Sequence, residues 1–310
     1  LGSEDLDSLA GASGLILATN ALTTSEFLQL DFNCIAGIAT VDGSSRSHIA
    51  ILAQAHGLPM LVGCEANLPI LRPGSMAIID TKGGRLLYDP DDETLADFRR
   101  LRDKLSKQHT LAMSKAHMPA LTRTNEHVQI HATVDDLSVL RSGEISMFDG
   151  VGLTRTEFLF DGGDLPDEDK QYEAYASIMR WAAGRPVIIR TLDAGGDKPI
   201  PGVTFDNESN PFLGIRGYRL SRLRKPIFMQ QLRALARAAA IGPLKVMAPM
   251  ITAPSEMSEF RLLFAEAVDE LQREGVTCAM PALGLMIEVP AAALGIGRFD
   301  ADFYSIGSND

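Results

Sequence analysis

The segment VIIRTLDAGGDKP, residues 187–199, opens as an apolar, β-branched run and turns polar at Arg190. It closes on a glycine pair followed by Asp197, Lys198 and Pro199. A short Val/Ile-rich run bounded by Gly and Pro reads as a buried strand entering a loop, here over 187–193. An arginine, an aspartate and a lysine therefore stand at the C-terminal end of a strand. In parallel α/β sheets that end carries the ligand-binding groups.

Working outward, the chain after residue 120 alternates. Strand-like runs lie at 128–134, 150–153, 245–251, 283–289 and 302–307, and helical periodicity at 169–182, 225–240 and 255–274. A short element near 213–216 brings the candidate strands to seven. Strand–helix alternation implies a parallel sheet, either a (β/α)8 barrel lacking its last unit or an open doubly wound sheet. Before residue 90 the pattern differs. Short β-prone runs at 14–18, 34–40, 59–63, 75–80 and 83–89 surround one helical stretch at 48–56. Between the two regions, DDETLADFRRLRDKLSKQHTLAMSKAHM (91–118) has Leu95, Phe98, Leu101 and Leu105 at helical spacing on a charged background, with Asp91 or Asp92 as N-cap and Pro119 as stop. The expected organisation is a small β/α domain at 1–90, a connecting helix at 91–118 and a barrel-type domain at 119–310.

The barrel reading predicts that chemistry-bearing residues gather at strand C-termini. Arg155 and Glu157 follow the 150–153 run, and Arg190, Asp193 and Lys198 follow the 187 run. Arg216 lies in NPFLGIRGYR, Glu288 ends GLMIEVP, and Asn309 and Asp310 end YSIGSND. Any one of these alone is an ordinary surface or salt-bridging group. Their recurrence at one predicted rim describes a site for a phosphorylated anion with a hard metal. Arginine offers planar bidentate donors, and Mg2+ takes one or two carboxylates plus substrate oxygens.

A second group lies in GSSRSHIAILAQAHGLP (43–59). Ser47 reads as an N-cap, His48 as the first helical residue and Gly57 as the C′ residue, with Pro59 beyond. A capping-site surface histidine is one reading. The other is a nucleophilic imidazole whose acquired negative group the helix N-terminus stabilises.

Composition narrows the class. Of 310 residues, 45% are hydrophobic and 22% charged, with a net charge of −11, which is globular and disfavours nucleic acid as a partner. No apolar run reaches a membrane span, and the opening LGSEDLDSLAG lacks the pattern of a signal peptide. Cys34, Cys64 and Cys278 show no metal spacing, and so sparse a set fits a reducing cytoplasm.

RTEFLF (155–160), RTLDAGGDKP (190–199), NPFLGIRGYR (210–219) and SIGSND (305–310) together resemble the phosphoenolpyruvate-utilising enzymes. The likeness is greatest to their phosphotransferase branch, the enzyme I proteins of the sugar phosphotransferase system. It runs over nearly the whole chain. It implies a swivelling phosphohistidine domain, a linker helix and an incomplete (β/α)8 barrel. It further implies that His48 is the phosphorylated histidine and that Arg155, Arg190, Arg216 and Lys198 bind phosphoenolpyruvate. Glu288 and Asp310 would hold Mg2+, and Asn309 would stand beside the transferred phosphate. The implied partner is a small carrier protein phosphorylated on histidine, and the implied assembly of the full-length protein is a homodimer. Related scaffolds also offer a non-catalytic phosphoenolpyruvate-sensing regulator or a dikinase, although 1–310 shows no glycine-rich nucleotide loop.

Two departures from the family pattern stand out. Its histidine stretch usually reads Gly-Gly-x-Thr-Ser-His, whereas here Ser44 and Arg46 replace the second glycine and the threonine. The family also continues past the position of Asp310 with a further arginine and a protonating cysteine, and it begins with a carrier-binding subdomain. The chain therefore reads as a fragment, expected to turn over little phosphoenolpyruvate alone.

Overall fold

The computed structural model describes residues 14–23, 26–27, 29–44, 47–64, 72, 74–138, 140, 144–160, 165–196, 199–205, 210 and 213–307. The chain divides into two compact units, Leu1–Lys115 and Ala116–Asp310.

In the first unit, β1 (Leu15–Thr19), β2 (Ile35–Thr40) and β3 (Met60–Leu61) form a parallel sheet in the order β1-β2-β3. Leu17, Phe27, Leu30, Ile35, Ile38, Ala53 and Leu58 make its core. The helix α1 (His48–Ala55) begins as expected, with Ser47 accepting the Ala50 N–H on its hydroxyl at 3.3 Å. It closes when the Leu58 N–H donates to the Ala53 carbonyl at 2.8 Å, across Gly57. Strands β4 (Ala77–Asp80) and β5 (Arg85–Tyr88) form an antiparallel hairpin. The helix α2 (Asp92–Lys115) is capped by Asp91, whose carboxylate accepts the Thr94 N–H at 2.8 Å. No residue of α2 is fully buried, as its charge-rich composition requires.

The second unit is a curled parallel half-barrel sheet. Its strands are β6 (His131–Val134), β7 (Gly150–Thr154), β8 (Val187–Arg190), β9 (Leu244–Ala248), β10 (Ala282–Ile287) and β11 (Phe303–Ile306). They pair in strict chain order from β6 to β11, all parallel. The sequential order rules out a doubly wound sheet, whose strand order reverses. The helices α3 (Glu168–Trp181), α4 (Tyr218–Leu223), α5 (Lys225–Ala239), α6 (Pro254–Arg273) and α7 (Pro290–Leu294) lie in the crossovers. Tyr175, Ile178, Val187, Ile189, Leu232, Leu235, Val246, Phe260, Phe264 and Leu285 join sheet to helices in one core. Arg233 of α5 reaches Glu168 of α3 and Glu274 at the C-cap of α6, tying the outer layer together by charge.

Two expectations are corrected. The segment 213–216 is not a strand, since β8 pairs directly with β9 through Val187↔Leu244 to Arg190↔Met247 and leaves no slot between them. The strand read over 187–193 ends at Arg190, and Thr191–Asp193 run beyond the ladder. Among the described residues no helix is long and apolar enough to cross a membrane, and all three cysteines are free.

Candidate functional site

Because all six strands of the second unit are parallel, their C-terminal ends share one rim. Arg190 is the last residue of β8 and is only 3% exposed. Its Nη2 donates to Glu157 Oε1 at 2.7 Å, and its Nη1 lies 3.3 Å from Asp193 Oδ2 and 3.7 Å from Met286 Sδ. Asp193, 1% exposed, also receives Arg216: Nε on Oδ1 at 3.4 Å and Nη2 on Oδ2 at 3.3 Å. One buried carboxylate therefore holds two buried guanidinium groups side by side. Burial works against the Arg190 charge. Glu157, Asp193 and Glu288 outweigh it and hold its pKa above the ordinary arginine value.

Arg216 reaches Asp193 because the chain at 213–216 lies tightly on the loop after β8. A Cβ at Gly195, whose φ is +109°, would stand 2.7 Å from the Ile215 carbonyl oxygen and 2.9 Å from Arg216 Cβ. The glycine seen in the sequence as loop punctuation is thus required by close backbone approach. At Gly217, with φ +55°, a Cβ would stand 2.8 Å from Met250 Cβ. Met250 is itself held at φ +56° and donates its N–H to Glu288 Oε1 at 2.6 Å. Gly217→Ala is expected to destabilise the protein by roughly 1–2 kcal/mol from the left-handed backbone alone, and more from displacing Met250. Urea unfolding reads this as a lower midpoint; an unchanged midpoint would contradict it.

The structure brings Arg190, Arg216 and Glu288 into one neighbourhood, with Glu157 and Asp193 among them. Arg155 stands at the end of β7 and pairs with Asp135 at 2.7 Å. Lys198, Asn309 and Asp310 lie outside the described residues, as do Ser45 and Arg46. The backbone of His48 occupies the first position of α1 in the first unit.

Charge bookkeeping shows what the rim can accept. The two guanidiniums are matched by Asp193 and Glu157, and Glu288 adds a further carboxylate. Among the described residues of this cluster, an anionic ligand meets preorganised donors whose charge is matched by carboxylates, which favours entry together with a divalent cation. The donor set fits a hard cation, since Glu288 presents carboxylate oxygen. Among the described residues no three His, Cys, Asp or Glu side chains gather to hold a metal on their own. Mg2+, which keeps substrate or water oxygens as ligands, suits such a site better than a metal demanding a full protein cage. Buried Glu157 Oε2, Arg190 Nε and Thr191 Oγ1 have no hydrogen-bond partner among the described residues, so polar capacity remains beside the cluster.

Sequence reasoning placed Asp193 and Glu157 at the rim without a role, and it passed over Met250 and Gln231. Gln231 carried a legible signal. It shares a helix face with Phe228, Leu232 and Leu235, a polar residue on a buried stripe.

Comparison with known proteins also distinguishes two regions. Residues 109–310 match the model of the PEP-binding domain of PEP-utilising enzymes, and residues 11–84 match that of their mobile domain. A phosphoenolpyruvate-protein phosphotransferase of Bacillus sp. (strain S) is 35% identical over 96% of this chain and 52% of its own length. One from Haloferax volcanii is 38% identical over 99% of this chain and 54% of its own. A multiphosphoryl transfer protein of Xanthomonas campestris is 39% identical over 98% of this chain and 37% of its own. The chain spans about half the length of the curated phosphotransferases it matches. A parallel half-barrel with a buried arginine–carboxylate rim, joined to a small β/α unit and matched by both domain models, belongs to the family of PEP-utilising enzymes.

Proposed function

We propose that this chain is the phosphohistidine and substrate-binding portion of a phosphotransferase. The phosphoryl group of phosphoenolpyruvate passes to His48 and then to a histidine on a small carrier protein. The single observation that carries the reading is the buried Arg190–Asp193–Arg216 lattice at the strand ends. The relatives' names, phosphoenolpyruvate-protein phosphotransferase among them, point the same way.

In the transfer, a neutral imidazole nitrogen of His48 forms the P–N bond as the bond from phosphorus to the enol oxygen breaks. The leaving enolate takes a proton on carbon to become pyruvate. Arg190 and Arg216 orient phosphate and carboxylate oxygens through bidentate donors, and Asp193 keeps both guanidiniums in register. Arg155, Lys198 and Asn309 complete the polar lining. Glu288 and Asp310 would hold Mg2+, which would supply charge neutralisation to the bound anion. Residues 1–90 act as the swivelling domain, residues 91–118, with α2, as the linker helix, and residues 119–310 as the first part of a (β/α)8 barrel. The complete protein works in the cytoplasm as a homodimer.

Arg216→Gln is expected to weaken phosphoenolpyruvate binding in the presence of Mg2+ by about tenfold or more, measured by calorimetry on the complete gene product. Equal affinity in the variant would remove Arg216 from the site. No binding by the unaltered protein would sink the reading itself.

A further inference from the structure

Beyond the end of β8, three successive amides find three different partners. Thr191 N donates to the Met247 carbonyl of β9 at 2.9 Å, the last bond of the sheet ladder. Asp193 N donates to Glu157 Oε1 at 3.2 Å. Between them, Leu192 N donates to the side-chain oxygen of Gln231, on α5, at 2.9 Å. Gln231 thus continues the ladder after the backbone has ceased to.

The other end of the same amide group is also committed. Gln231 Nε2 donates to Thr156 Oγ1 at 3.2 Å and to Tyr175 Oη at 3.1 Å. Thr156 Oγ1 donates in turn to the carbonyl of Arg190 at 3.1 Å. Tyr175 donates to Gln171 Oε1 at 3.2 Å, and Gln171 Nε2 donates to the Pro166 carbonyl at 3.1 Å. Burial keeps the Tyr175 phenol protonated, with its pKa above the ordinary tyrosine value despite the Gln231 bond, so its direction of donation is set. Gln231 is 1% exposed, and Thr156, Tyr175 and Gln171 are fully buried. The void that Gln231 borders with Leu192, Ser221 and Phe228 measures about 10 Å³. A cavity that size holds at most about one water, so solvent has little room to replace a lost partner.

We propose that Gln231 is a positioning residue for the anion-binding rim: its amide grips both flanks of Thr191, the Leu192 N–H directly and the Arg190 carbonyl through Thr156, and so fixes the backbone from which Arg190 and Asp193 project. The two ends of one planar amide cannot shift independently. A displacement at Leu192 is therefore transmitted to Thr156 and to the start of the Arg190 side chain. The inference rests on the proposed role of that rim in binding phosphoenolpyruvate.

The test compares Gln231→Leu, Gln231→Glu and Thr156→Val in the full chain. The probes are phosphoenolpyruvate with Mg2+ for binding and hydrogen exchange at the Leu192 amide for position. Leucine removes every bond, and its expected effect is a roughly tenfold rise in Kd with faster exchange at Leu192 and unchanged helical circular dichroism. Glutamic acid, when protonated, can still accept from Leu192 and donate one proton. Gln231→Glu should therefore bind near the unaltered level at low pH and lose affinity as pH rises and the buried carboxyl ionises. A purely packing role would not produce that pH profile. Thr156→Val, nearly isosteric, should weaken binding without loss of fold and serves where the leucine variant does not fold. Folded variants with unchanged Kd and unchanged Leu192 exchange would overturn the assignment. If the unaltered protein does not bind phosphoenolpyruvate, the functional reading fails, and the exchange rates alone still decide whether Gln231 holds the strand end.

Discussion

A His48→Ala protein is expected to take up no acid-labile, base-stable phosphate from labelled phosphoenolpyruvate and Mg2+. The loss should reach background, on the order of a thousandfold or more, because alanine has no nucleophile to replace the proposed imidazole acceptor. The fold should not contribute to this loss. His48 is the first residue of α1, Ser47 remains to cap the Ala50 N–H, and alanine is a good helix former. The change in stability should stay within about 0.5 kcal/mol, read by thermal unfolding beside the labelling assay. The helix N-terminus gives the physical reason for placing a phosphoryl acceptor there, since unpaired N–H groups and the positive dipole end favour the added negative charge. Labelling that survives in His48→Ala, measured on the complete gene product, would move the acceptor elsewhere.

Asp193→Ala should give the largest loss of stability of any rim substitution. It removes the carboxylate shared by two buried guanidiniums, and a buried ion pair broken from one side is strongly destabilising. Two effects set the magnitude. Arg190 keeps Glu157 at 2.7 Å, which lowers the penalty. The Asp193 N–H that donates to Glu157 is a backbone group and survives the substitution, which also limits the penalty. An effect of about 3 kcal/mol follows, at the lower end for buried pairs. In a domain of this size the thermal midpoint falls by roughly 6–12 °C. A variant melting within about 2 °C of the unaltered protein would show that the two arginines do not depend on Asp193.

The architecture was largely legible because its signals are local. Short apolar runs mark the barrel strands within a few residues, several of them closed by Gly or Pro. The cap at Ser47 and the stop at Gly57 set α1 as read. The segment 213–216 misled because an apolar triplet with an arginine looks like a short strand. Whether such a triplet pairs depends on a vacant place in the sheet, and β8 and β9 leave none. At the two ends of the sheet, β6 and β11 each have one neighbour among the described residues.

The candidate site was legible as a set of charges and not as an arrangement. Arginines and carboxylates at successive strand ends could be counted from residue order alone, because parallel strands place all their C-termini on one rim. Which carboxylate holds which arginine could not be counted. Asp193 takes Arg216 because Gly195 lets two backbones approach, and Glu288 takes the Met250 N–H because Gly217 clears the space beside it. Gln231 reaches Leu192 across 39 positions of sequence, a distance no periodicity encodes. The sequence by itself determined the class of fold, the helix that begins at His48 and the chemical character of the rim, since each follows from neighbours within one element. Tertiary structure alone decided the pairing and burial of the charges, because those depend on close approaches between elements far apart in the chain.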